Sequence, residues 1–195
     1  MYRIALLIAL CFGLVACNQN DKKISSWEVN DVYHSTVITP NAATGTKTYA
    51  GPPINTEDEN NTYEMFSLKT EKTSQGVNSY QLIVQLTYFS KWRYYNAATL
   101  NNNPATNFSV VGREAGGCDA RGCIFRELLS IQLPADFVKS HMNKGFQISI
   151  SSQSGITSDL YVPPQYLQGY LKAVEYLSLA SLLLRLLDEN GRNKK

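Results

Sequence analysis

The sequence predicts a mainly β domain, either an antiparallel β-sandwich or an α+β sheet, with a C-terminal helix packed on it. Three observations predict this class: a strict two-residue alternation over residues 79–89, further short alternating runs separated by turn-forming residues, and a three- to four-residue recurrence of apolar side chains after Pro163-Pro164. At 195 residues, with a hydrophobic fraction of 44% and a charged fraction of 17%, the chain has the composition of a folded globular protein with room for a single core. That domain is expected over residues 27–195.

Taken in order, residues 27–39 carry two short apolar patterns, Trp27 with Val29 and then Val32 to Ile38, which fit a first strand or strand pair. Residues 40–62 contain Pro40, Gly45, Gly51, Pro52 and Pro53 among polar residues and read as a long surface loop. Residues 63–72 alternate moderately, Ser74-Gln75-Gly76 turns the chain, and residues 79–89 follow as the strongest strand. There Tyr80, Leu82, Val84, Leu86 and Tyr88 share one face, while Gln81, Gln85 and Thr87 share the other, as a half-buried strand requires. The Asn-rich stretch 96–107 reads as a second break. Residues 108–114 and 123–133 form another strand pair, with Phe125, Leu129, Ile131 and Leu133 on one side. A short helix is expected over 134–142, entered at Pro134 and followed by Gly145, and strands over 146–151 and 159–162 come next. The last helix, about 165–188, follows from Tyr166, Tyr170, Ala173, Leu177, Ala180, Leu184 and Leu187. Its second half is apolar almost all round, with only Ser178, Ser181 and Arg185 polar between 177 and 187, so that surface must be covered by the sheet, a partner protein or a membrane.

The first seventeen residues have a different character. A basic start, Met1-Tyr2-Arg3, precedes an apolar run from residue 4 to 15 that is too short to cross a bilayer, which takes about 20 apolar residues. Leu14-Val15-Ala16-Cys17 ends the run with a small residue directly before a cysteine. This resembles the lipobox of bacterial lipoproteins; Leu10 before Cys11 is too bulky for such a site. The resemblance implies a signal peptide over 1–16, cleavage before Cys17, and attachment of lipid to the Cys17 thiol and amine. Two or more acyl chains hold a protein on a membrane stably, whereas one does so marginally. Asn18, where Asp would favour inner-membrane retention in the enterobacterial pattern, implies placement at the outer membrane facing the periplasm. Residues 17–26 then act as a polar, lipidated tether.

Charge and motifs narrow the function classes. Arg3 is the one charged residue before Cys17, so the processed chain carries seventeen basic against sixteen acidic side chains. Such near-neutrality gives no electrostatic case for nucleic acid. In an exported protein, Cys118 and Cys123, flanking Asp119-Ala120-Arg121-Gly122 between two strands, are most simply a disulfide across a hairpin tip. Zinc would need more ligands than the distant His34 and His141 supply, and thioredoxin-like pairs have two intervening residues, not four. No cofactor or metal site is expected. Asp136, Ser140 and His141 lie close together, but neighbours on a helix point about 100 degrees apart, so a solvated helix face is the better reading than a triad. His34 reads as a lone strand histidine. Residues 88–95, Tyr-Phe-Ser-Lys-Trp-Arg-Tyr-Tyr, mix aromatics with cations. Their plain reading is a strand end whose rings enter the core; if a recognition surface exists, Trp92, Arg93, Tyr94 and Tyr95 together with Arg121 of the disulfide loop are its candidates. The leading expectation is a non-enzymatic envelope lipoprotein that binds or supports another envelope component. A glycan- or peptide-binding module is the alternative, and an envelope hydrolase ranks third.

Overall fold

The structure, a computed structural model, describes residues 27–57, 61–105 and 107–175. Cys17, the leader, the tether and the apolar stretch 177–187 lie outside the described residues. Within them the chain is mainly β, with two antiparallel sheets, and a helix over 164–175 packs on the larger one.

The first expectation needs correction. Residues 29–35 form a helix, α1 (Val29–Ser35), and only then does β1 (Val37–Asn41) begin. Val29, Val32, Tyr33 and Thr36 recur at three and four residues, the helical period, and Val32 is fully buried. His34 therefore sits exposed in the last turn of a helix, not in a strand. The stretch read as a long loop is also structured. It forms β2 (Thr46–Ala50) and β3 (Ile54–Glu57), which share one edge of β4 (Tyr63–Thr73): β2 pairs with its second half and β3 with its first. The eleven-residue edge of β4 needs partners for its backbone groups, and two short strands interrupted by Pro52-Pro53 supply them. At the interruption Gly51 N–H still donates to Leu68 O, at 2.8 Å.

The expected hairpin follows. β5 (Gly76–Phe89) pairs with β4 on one side and with β9 (Gly122–Pro134) on the other, and β8 (Phe108–Asp119) closes the sheet, in the order β1-β2-β4-β5-β9-β8. The alternation is as expected: Tyr80, Leu82, Val84, Leu86 and Tyr88 are buried, as are Leu129, Ile131 and Leu133 across from them. The Asn-rich break is a further correction. It holds β6 (Tyr95–Leu100) and β7 (Asn103–Pro104), joined through Asn101 and Asn102 at φ 47° and 67°. Positive φ at both central residues is the signature of a tight hairpin turn, which Asn tolerates well. β6 pairs with β10 (Phe146–Ser152), and β10 pairs with β11 (Thr157–Val162), completing the smaller sheet. The helix α2 (Ala135–Ser140) forms as expected beyond Pro134.

The helix over 164–175, α3, buries Tyr166, Leu167, Tyr170, Leu171 and Val174, and joins α1 and the inward faces of both sheets in one core. Two of its tyrosines fix its height on the sheet. Tyr166 Oη donates to Pro52 O and accepts from Leu68 N–H, and Tyr170 Oη donates to Tyr49 O. Burial pushes both phenols well above their ordinary range, and brings Tyr80 to about 12 with help from Glu175. α3 thus advances from Leu68 toward Lys72, whose Nζ donates to Val174 O at 2.5 Å, and runs along β4 toward the β4–β5 turn. All three helices gather at that end of the strands.

Candidate functional site

The opposite end carries the segment 88–95. β5 stops at Phe89, and Ser90 and Tyr94 take φ of 90° and 54°, reversing the chain twice within five residues. Arg93 and Tyr95, candidates if a recognition surface exists, turn inward. Arg93 N–H donates to Tyr88 Oη at 3.1 Å, its guanidinium lies 4.3 Å from the Tyr88 ring centroid, and Nη1 donates to Thr62 Oγ1 and Tyr95 Oη. Tyr94 stays exposed, under the guanidinium of Arg113 at 5.2 Å. Trp92 is half-buried, its ring 4.6 Å from Phe125, so the plain reading of rings entering the core holds for Tyr88, Tyr95 and part of Trp92.

What draws this segment inward is a carboxylate that sequence reasoning passed over. Glu127 lies fully buried at the inward register position between Phe125 and Leu129. Its Oε1 accepts from Tyr88 Oη at 2.5 Å, its Oε2 from Arg113 Nε at 2.8 Å, and both oxygens face Tyr95 N–H. A charge can stay in a core only when paired and hydrogen-bonded, and these partners come from three strands, β5, β8 and β6. Burial and the bond to Glu127 together push the Tyr88 phenol far above its ordinary value. The signal was present in the sequence: one glutamate interrupts the alternating apolar set of β9.

Over this network lies an open cleft of about 350 Å³, lined by Asn61, Tyr63, Phe89, Ser90, Arg93 and Arg121. Tyr63 and Phe89 end β4 and β5 and meet edge-on, with ring centroids 6.4 Å apart. Arg121 reaches them from the hairpin between β8 and β9, whose strands are joined by the Cys118–Cys123 disulfide expected from the spacing. Gly122, at φ 106°, lets the hairpin tip approach the Ser90 backbone so closely that an added Cβ would sit 3.2 Å from Ser90 Cα. The Arg121 guanidinium stacks 4.1 Å from the Phe89 centroid and pairs with Asp119 at 2.8 Å. That hydrogen bond holds the Asp119 carboxyl below its usual range. The tertiary structure therefore brings together Arg93 and Arg121, two candidates about thirty residues apart, and leaves Trp92 and Tyr94 outside the lining. Tyr63 and Asn61 were missed because they occupy an outward strand end and a turn, where nothing in a sequence pattern marks them.

No protein-family model, curated protein or solved structure matches this chain. Its chemistry therefore has to be read from its own residues. Rigid aromatic walls, two guanidinium donors and the hydroxyls of Tyr63 and Ser90 can hold a polar ligand by hydrogen bonds and ring contact. Within the Asp136, Ser140 and His141 group, Ser140 Oγ lies 3.2 Å from His141 Nδ1, and both side chains also bond to the backbone of α2. His141 Nδ1 donates to Phe137 O at 2.7 Å, which leaves Nε2 to accept from Asn101 Nδ2 at 2.9 Å, so the imidazole straps α2 to the β6–β7 turn. Ser140 Oγ donates to the same carbonyl at 3.0 Å. Among the described residues no three His, Cys, Asp or Glu side chains converge on a point where a metal ion would sit.

Proposed function

We propose that this chain is a non-enzymatic envelope lipoprotein, held through lipid on Cys17 at the periplasmic face of the outer membrane, whose β-rich domain binds or supports another envelope component. The observation that carries the binding role is the cleft, where Arg93, Arg121, Tyr63 and Phe89 converge on strand ends and a disulfide-closed hairpin. Such a site is already shaped before its ligand arrives, so little ordering entropy is lost on binding. The anchoring rests on Leu14-Val15-Ala16-Cys17. The test is recovery of envelope proteins on the immobilised mature domain, compared with its Tyr63→Ala and Arg121→Ala variants. Retention that falls at least tenfold in both variants supports the reading, and repeated recovery of no envelope protein overturns it.

A glycan- or peptide-binding module is the second reading, favoured by the exposed ring of Tyr94 beside half-buried Trp92, 6.1 Å apart between centroids. Glycan binding that is unchanged in Trp92→Ala and Tyr94→Ala would remove its basis. Turnover in a broad hydrolase screen would replace both readings with an enzyme.

A further inference from the structure

The domain is polarised along its strands, and its first and last described residues lie toward the helical end. α1 lies against the middle and exit of α3. An added Cβ at Gly169 would collide with Val29 O and Val32 Cβ, and Lys172 Nζ, 4.8 Å from the Tyr33 ring centroid, donates to Asn30 Oδ1 at 3.1 Å. The chain therefore enters the domain beside residues 169–172, and the last described turn of α3 lies near Lys72, whose Nζ donates to Val174 O. Tyr63, in the cleft, lies seven to nine residues back along β4 from Thr70 and Lys72, or roughly 23–30 Å at the rise of a strand.

We propose that the helical end, formed by α1, the exit of α3 and the β4–β5 turn, faces the lipid surface, and that the cleft faces away from it. The inference rests on the lipid-anchored reading above. Ten residue-to-residue steps lead from Cys17 to Trp27. A flexible chain of that length spans about 17–19 Å on average and at most about 35 Å. Turning the cleft toward the membrane would stretch the tether close to its limit, whereas the helical end reaches the surface with the tether relaxed. The sequence that follows Glu175 is consistent with this orientation in its composition. Leu177, Leu179, Leu182, Leu183, Leu184, Leu186 and Leu187 accompany only Ser178, Ser181 and Arg185 as polar residues, a composition suited to the headgroup–acyl boundary. Exposed Lys172 and Lys47 at this end are offset by Glu175 and Glu71, so the contact is apolar rather than a general attraction for anionic lipid.

Energy transfer to the membrane tests this. The acylated chain is placed on phosphatidylethanolamine–phosphatidylglycerol vesicles carrying a headgroup acceptor, with a donor on Ser74→Cys at the β4–β5 turn or on Lys91→Cys beside the cleft. Transfer from position 74 is expected to be at least twice that from position 91, and Leu183→Glu with Leu186→Glu should reduce the difference. Equal transfer, greater transfer from position 91, or no effect of the double glutamate variant overturns the proposal. The mass of the N-terminal peptide is read separately: an unacylated Cys17 overturns the anchoring and this orientation together, while equal transfer from an acylated, vesicle-bound chain overturns the orientation alone.

Discussion

Glu127 is the residue on which the cleft end depends most. Removing its carboxylate strands the Tyr88 hydroxyl and the Tyr95 N–H in the core, and each buried polar group left without a partner costs about 1–3 kcal/mol. Glu127→Ala is therefore expected to lower unfolding free energy by about 3 kcal/mol or more, whereas Glu127→Gln, which keeps the shape and some of the bonds, costs less; urea denaturation of the two variants checks the order. Tyrosine ionisation supplies a second prediction. Tyr80, Tyr88, Tyr166 and Tyr170 all have phenol pKa values raised in the folded chain above the ordinary 10.0. Their protonated forms favour the fold fully below pH 10, and above it the unfolded chain releases protons that the folded chain retains. Stability should then fall as pH rises past 10, by up to about 1.4 kcal/mol per unit for each phenol still protonated only in the fold. Lys72, lowered by its own burial, opposes this by a single proton. A urea midpoint that stays level from pH 8 to pH 11 would contradict the burial of these rings.

Among the elements, the contact between α3 and the β2–β3 break has almost no slack. A Cβ added at Gly51 would collide with the Tyr166 hydroxyl and press on the Tyr170 ring, while one added at Gly117 in β8 would meet nothing within 4 Å. Gly51→Ala should cost about 1–3 kcal/mol, the usual penalty of overpacking, and Gly117→Ala should leave the melting temperature nearly unchanged. The β8–β9 hairpin is held by strand pairing along its length as well as by its disulfide. Reduction should therefore leave the fold intact and lower stability by roughly 2 kcal/mol, the chain-entropy value for so small a ring. It should weaken ligand retention by the cleft more than it weakens the fold, because the bond holds the tip that carries Arg121. Circular dichroism and the recovery assay, each with and without reductant, separate the two effects. Long alternating strands such as β5 were legible in the sequence because burial on one face imposes a period of two. β2, β3 and β6 were not, because short strands rich in Thr and Asn owe their existence to a neighbour's open edge rather than to a pattern of their own.

For the molecule as a whole, the proposed placement rests on one thiol. Replacing Cys17 with Ser should move the protein out of the outer-membrane fraction, which envelope fractionation reads directly; a distribution unchanged by Cys17→Ser would refute the anchor. The sequence by itself determined the mainly β class, the β4–β5 and β8–β9 hairpins, the α2 turn and the pairing of Cys118 with Cys123, since each depends on local periodicity or on cysteines close along the chain. It also contained the helical spacing of Val29, Val32, Tyr33 and Thr36, which β-branched side chains disguised as a strand. Only the tertiary structure decided that Arg93 and Tyr95 turn inward, because the buried carboxylate that accepts from Tyr95 N–H lies more than thirty residues away on β9, and Thr62, which accepts from Arg93, lies as far away in the other direction. It alone also placed Arg121 against Phe89 and set the helices and the cleft at opposite ends of the sheet. Such juxtapositions arise from strand register and from two positive-φ residues, and the one-dimensional order of side chains does not encode them in any pattern short enough to read.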